Sequence, residues 1–343
     1  MAGGLLLSCN KSLSLLSNID NIVFDPTIPE YYFKDNYLEQ KISRITSLIY
    51  DNDSTNAFVF ITDQHWEHNS QKSLALLKHI QEKTKISKLF SGGDVADLFG
   101  KDSYAYIKLL KEAWNGEIHC AVGNHEYLGT NNSTEQKVYE LFKTNPDIQK
   151  GNQHRHYYYV DDSSVMTRYV VLSSYSQSID GGLHATFGYG EEQEKWLQNV
   201  ALKVDKEWKI IIFTHLLFFI GVDDDKITVC DDKILSIIDN YNSDGQGKVV
   251  AIFHGHNHRD RIIYTPVSKI PVIVTTCDKY EILHDDQQNV VRTPGTIDEQ
   301  AFDVVVIDYE TKTIHCVRIG CKAKDGVNDD VGSEVEERVI KYE

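Results

Sequence analysis

Five short polar motifs, each set directly after a short apolar run, constrain this 343-residue chain more than any other feature. They are Asp63-Gln64-His65, Gly93-Asp94-Val95-Ala96-Asp97, Gly123-Asn124-His125-Glu126, His215 and Gly255-His256-Asn257-His258. Short apolar runs bounded by turn signals read as buried β-strands. Residues just beyond the carboxyl ends of strands in an open α/β sheet gather at one edge, where such folds bind ligands. Five such ends can bring carboxylate, imidazole and amide donors together.

Donors of this kind, without thiolate, suit Mn, Fe or Zn rather than Ca or an iron–sulfur cluster. Two ions about 3.5–4 Å apart need a shared ligand, and a carboxylate has two oxygens with which to bridge. Such a pair lowers the pKa of a shared water, so that hydroxide can attack phosphorus in line near neutral pH. The departing alcohol needs a proton, which a histidine beside the ions can supply.

The five motifs in this order, with roughly thirty residues between each of the first three, resemble the calcineurin-like metallophosphoesterase superfamily over roughly residues 57–320. The resemblance implies a four-layer α/β/β/α sandwich of two mixed sheets. It also implies hydrolysis of phosphate esters, phosphodiesters before monoesters, with two divalent ions (Mn, Fe or Zn). By matching position, Asp63, His65 and His258 would hold one ion, Asn124, His215 and His256 the other, and Asp94 would bridge. His125 would be the general acid or a phosphate-orienting group, and Asp97 would orient a ligand or His125 from behind. Tyr127, His184 and Lys279 are the expected substrate contacts. Phe60-Ile61-Thr62-Asp63, Thr275-Thr276-Cys277-Asp278 and Gln300–Val305 resemble a branch found in bacterial envelope and phage tail proteins. The alternative for such a branch is a surface module that binds phosphorylated glycans or lipid head groups without turnover.

Composition fits one enzyme domain: 41% hydrophobic and 25% charged residues are ordinary for a globular protein. The net charge of −16 argues against duplex nucleic acid as the main partner but leaves a small phosphate ester open. Leu5-Leu6-Leu7-Ser8-Cys9 reads either as the end of a bacterial lipoprotein signal, with Cys9 the membrane anchor, or as a plain apolar segment. Location therefore divides between the cell envelope and the cytoplasm or a phage tail. The other cysteines, Cys120, Cys230, Cys277, Cys316 and Cys321, have no metal-binding spacing and read as reduced thiols.

The expected organisation is an N-terminal segment over 1–35, the phosphoesterase domain over 36–320 and a solvated acidic tail over 321–343. Strands and helices alternate in the first half: helix 36–50, strand 57–62, helix 70–83, strand 86–91, helix 103–114, strand 117–122. The second half is rich in strands, with 208–214 delivering His215 and 249–254 delivering the Gly-His-Asn-His turn. Phe218, Phe219 and Asp223-Asp224-Asp225 are candidates for a wall of the substrate pocket, as is the loop 174–190 with Asp180. His68 and His254 flank ligand motifs and are candidates for supporting contacts.

Overall fold

The computed structural model describes residues 22–50, 54–66, 71–127, 135–142, 149–150, 156–177, 185–221, 226–243, 248–278 and 292–343. Cys9, His68, Asp180, His184, Asp223, Asp224, Asp225 and Lys279 lie outside the described residues. No helix among the described residues is long and apolar enough to cross a membrane.

Two large sheets form the frame. The six-stranded sheet runs Glu337–Lys341, Thr313–Gly320, Ala301–Asp308, Thr55–Ile61, Lys88–Ser91, Glu117–Cys120. Its last three strands are parallel and the others antiparallel. The seven-stranded sheet runs Arg261–Tyr264, Pro271–Val274, Lys248–His254, Lys209–Phe213, Thr167–Val171, Tyr158–Asp162, Gln149–Lys150. Its four strands from Pro271–Val274 to Thr167–Val171 are parallel and its rims antiparallel. Both sheets are mixed, as expected.

Side chains alternate across a strand, and here each face meets a different layer. Val59 and Ile61 pack with residues of the helices Tyr37–Tyr50, Lys72–Thr84 and Lys101–Ala113, while Phe58 and Phe60 face the second sheet. Ile210 and Ile212 pack with residues of Glu191–Trp196 and Asp232–Ser243, while Ile211 and Phe213 face the first sheet. Burial on both faces explains the near-continuous apolar runs. Aromatic rings fill the space between the sheets. Phe90 stacks on Phe213 with centroids 3.8 Å apart, and Phe58 meets Phe213 and Phe253 edge-on at 5.4 Å each. The result is helix, sheet, sheet, helix.

The expected outer segments differ from the structure. Tyr32, inside 1–35, is fully buried in the core on the helix side of the first sheet. The expected acidic tail is folded: Glu337–Lys341 forms an edge strand, paired from Thr313↔Lys341 to Val317↔Glu337. Arg338 in that strand is fully buried. Its guanidinium donates to the Asp303 carboxylate at 2.6 Å and to the Val274 carbonyl at 2.8 Å. Arg318 donates to Asp303 at 2.8 Å and to Asp260 at 2.6 Å. Two arginines and two aspartates thus balance inside the protein and tie three strands of the first sheet to the second. The helix Tyr37–Tyr50 packs Leu38 and Ile45 in the core, with Tyr37, Ile42 and Leu48 partly buried against it. Leu38, Lys41 and Ile45 face inward, and the Lys41 amine is met by Glu336 at 2.5 Å. The five described cysteines are free thiols, four of them buried.

Candidate metal centre

The sheet registers bring the motifs together. Ile61 pairs with Ser91 and Ser91 with Cys120, so Asp63, Asp94 and Asn124 leave the same edge two to four residues later. Phe213 pairs with Phe253 in the other sheet, so His215 and His256 leave its matching edge.

Two donor sets result. In the first, His65 Nε2 lies 3.1 Å from His258 Nε2, and Asp63 Oδ1 lies 3.3 Å from His258 Nε2 and 4.0 Å from His65 Nε2. In the second, Asn124 Oδ1, His215 Nε2 and His256 Nδ1 lie 3.0–3.2 Å apart, and Asp94 Oδ2 lies 3.2 Å from His215 Nε2. Ligands about 2.0–2.2 Å from a shared ion, at tetrahedral or octahedral angles, sit about 3.0–3.5 Å from one another. Asp63 Oδ1 is buried and accepts no hydrogen bond, although its partner Oδ2 takes two, from Thr62 Oγ1 at 2.6 Å and His256 N at 2.9 Å. A buried carboxylate oxygen left in that state fits a cation. The residues present therefore fit two ions.

Neighbouring groups select which ring nitrogen faces each set. His215 Nδ1 donates to the Gly92 carbonyl at 2.8 Å, leaving Nε2 for the cluster. His65 Nδ1 donates to Asp97 Oδ1 at 2.9 Å. The Asp97 carbonyl accepts from His125 Nδ1 at 2.6 Å, which turns His125 Nε2 the other way, 3.9 Å from Asp94 Oδ2. His125 is in neither donor set, and its side chain is 28% exposed. The His125 backbone N–H donates to Asp94 Oδ1 at 2.8 Å.

Five of the candidate ligands have strained backbone. Asp63, His65, Asp94, His256 and His258 all have φ between 40° and 63°, a region that residues other than glycine enter at a cost. Two glycines permit the close packing. A Cβ at Gly123 would meet Asp94 Oδ1 at 2.0 Å, and one at Gly255 would meet Asp63 Oδ2 at 2.1 Å.

The electrostatics follow from two buried carboxylates. Burial raises the Asp63 and Asp94 carboxyls, but the histidines around them, His215 foremost, hold both below the usual range. Burial lowers His215, but Asp94 and Asp63 outweigh it and push the imidazole up to about 9. Burial, with His215 beside it, pushes His256 down to about 3. The cluster attracts positive charge, and a proton on His215 stands where ions would compete.

Sequence reasoning gave Glu126 no role. Its buried carboxylate accepts from the N–H groups of Gly123 at 2.7 Å, Val95 at 2.9 Å and Asp94 at 3.0 Å, tying the second motif loop to the third. Burial and Asp94 push the carboxyl up to about 7 against those three donors. Its signal was its place in the Gly-Asn-His-Glu motif. Tyr127, expected to line the pocket, is instead buried, 8% exposed, in the core on the helix side of the first sheet. His254 is buried at the end of its strand, with Nδ1 3.1 Å from the Gly255 carbonyl oxygen. A surface cavity of about 380 Å³ lined by Asp161, Arg168 and Trp208 adjoins the opposite strand ends and holds none of the candidate ligands.

A family model described as calcineurin-like phosphoesterase matches residues 57–260, more than half of the chain. No curated protein matches it. Among solved structures, Vacuolar Protein Sorting 29 from Cryptosporidium parvum is 10% identical, with a TM-score of 0.37, covering 84% of this chain and 98% of that one. Phosphopantetheinyl hydrolase (PptH) from Mycobacterium tuberculosis is 13% identical, with a TM-score of 0.35, covering 66% of this chain and 91% of that one. A Vps29 single mutant from Entamoeba histolytica is 12% identical, with a TM-score of 0.31, covering 77% and 91%.

Proposed function

Because the chain belongs to the calcineurin-like phosphoesterase family, we propose that it hydrolyses phosphodiesters with two divalent ions. Asp63, His65 and His258 would hold one ion, Asn124, His215 and His256 the other, and Asp94 would serve both. The observation that carries this reading is the pair of donor sets at ligand spacing, with a buried carboxylate oxygen that accepts no hydrogen bond. Ions bound there supply a nucleophile from water at neutral pH and positive charge for the phosphate oxygens. The net charge of −16 favours a singly charged diester over a doubly charged monoester.

His125 is the proposed general acid. The Asp97 carbonyl holds its Nδ1–H, so Nε2 is the nitrogen that delivers a proton to the ester oxygen as the P–O bond breaks. Asp97 then has two jobs, its carboxylate orienting His65 and its carbonyl orienting His125. A module that only binds has no use for an acid held beside the ligands.

The test combines metal analysis with a panel of phosphomonoesters and phosphodiesters. The wild type should hold two ions per chain and prefer diesters. His125→Ala should keep both ions and slow turnover by roughly 10²–10⁴-fold, most for alkyl leaving groups and least for nitrophenolate. An equal loss for every leaving group would remove the acid role. Absence of turnover on every ester, with tight binding of a phosphorylated ligand, would favour the binding module instead.

A further inference from the structure

The hairpin of Phe218–Ile220 and Ile227–Val229 follows directly on His215. Its first strand alternates: Phe218 and Ile220 are 4% and 2% exposed, whereas Phe219 is 39% exposed. Asn257, the residue between His256 and His258, holds this strand from the side. Its Nδ2 donates to the Phe218 carbonyl at 2.8 Å, and its Oδ1 accepts from the Ile220 N–H at 2.9 Å. An asparagine amide offers a donor and an acceptor together, so it takes the place of a neighbouring strand. Arg259 adds a bond from Nη1 to the Gly221 carbonyl at 3.2 Å.

The backbone on both sides of Phe219 is therefore fixed by the turn that carries two candidate ligands. The Phe219 ring lies 6.2 Å from the His256 ring, centroid to centroid, tilted by 49°. That separation is within the range of ordinary aromatic contacts. Phe219 stays partly exposed beside the second donor set. A single exposed apolar side chain is common on protein surfaces. One pinned from both sides against a charged cluster has a defined place, and it offers that cluster its apolar surface.

We propose that Phe219 is the wall of an apolar subsite beside the second donor set. It selects phosphodiesters in which the group that stays on the phosphate, opposite the leaving group, is flat and apolar, such as an aryl group. This rests on the phosphoesterase reading above. The phosphate is the part common to all substrates and is recognised by the ions and their ligands. Phe219 recognises what the phosphate carries.

Steady-state kinetics on p-nitrophenyl diesters whose second group is methyl, phenyl or naphthyl test this, because the leaving group is the same throughout. The wild type should favour phenyl and naphthyl over methyl. Phe219→Ala should lower kcat/KM for those two about tenfold through KM, the worth of about 1.4 kcal/mol of contact, and leave the methyl ester within about twofold. Phe219→Leu, which keeps apolar bulk without a flat ring, should fall between. Val267→Ala, an exposed residue at the opposite end of the second sheet, should change nothing. Turnover by the wild type with an unchanged aryl-to-methyl ratio in Phe219→Ala, or an equal loss on all three esters, would overturn the subsite and leave the phosphoesterase reading standing. Absence of wild-type turnover on every ester in Mn, Fe or Zn would overturn both.

Discussion

Replacing Asp303 by asparagine asks how much the buried charge cluster contributes to holding the two sheets together. The carboxylate accepts from Arg318 Nε at 2.8 Å, Arg338 Nη2 at 2.6 Å and Thr275 Oγ1 at 2.9 Å, and all four residues are 0% exposed. Asparagine keeps the shape and one acceptor oxygen but removes the charge. Two guanidiniums are then left with Asp260 as the remaining carboxylate of the cluster. Hydrogen bonds to charged groups contribute about 1.5–3 kcal/mol each, and removing one partner of a buried ion pair costs about 3–5 kcal/mol. With no solvent to screen the loss, Asp303→Asn should destabilise by about 3–5 kcal/mol. Arg44→Ala is the control. Its guanidinium pairs with Glu337 at 2.8 Å but is 45% exposed, so it should cost at most about 1 kcal/mol. Urea unfolding should show a lower midpoint for Asp303→Asn at an unchanged slope. Burial alone raises the Asp303 carboxyl, but Arg318 and Arg338 hold it well below its usual value. A depressed folded pKa gives stability that is complete above the unfolded value, about 3.9, and is lost as the pH falls toward the folded one. The gap between wild type and variant should therefore be constant above about pH 5 and shrink in acid. A variant within about 1 kcal/mol of wild type, indistinguishable from Arg44→Ala, would refute the reasoning.

Two further outcomes are expected. Asp94→Ala should lose both ions in elemental analysis, because one carboxylate serves two sites; a variant that keeps two ions per chain would show the assignment wrong. Burial raises Glu337, but hydrogen bonds from His315 and Arg44 bring its carboxyl down to about 2. Its contribution is therefore present above the unfolded value, about 4.3, and lost as the pH falls toward 2. Thermal melts of Glu337→Gln between pH 5 and 2 should fall less steeply than those of the wild type, and parallel slopes would remove Glu337 from the account.

The candidate donors were readable because each motif follows a short run rich in apolar residues, and strand registers carry such ends to one edge. The polar residues that work inside the protein were not. Along Glu337–Lys341, Arg338 and Ile340 are buried and Val339 is 57% exposed. Hydropathy reads an arginine as solvated unless its partner is known, and Asp303 lies on another strand. Asn257 and Glu126 lie inside the motifs, but they act on backbone groups, and that work has no signature of its own in the sequence. The helix Asp232–Ser243 was missed although Ile234, Leu235, Ile238 and Tyr241 recur at helical spacing. His184 and Lys279 belong to none of the five motifs in the sequence, so spacing alone never tied them to the cluster.

The order of strands in the first sheet also sets a timetable for synthesis. Thr55–Ile61 finds its antiparallel neighbour, Ala301–Asp308, only about 240 residues later in the chain. At the usual pace of roughly 5–20 residues per second, that is on the order of 10–50 seconds. During that interval the strand that leads to Asp63 has an open edge, even though Phe213 and Phe253, which pack on its phenylalanines, have already been made. Asp303, arriving next, carries a charge destined for the interior before Arg318 and Arg338 have been made. All seven candidate ligands precede residue 260, but the first sheet beneath them cannot close until residues 301–341 have been made.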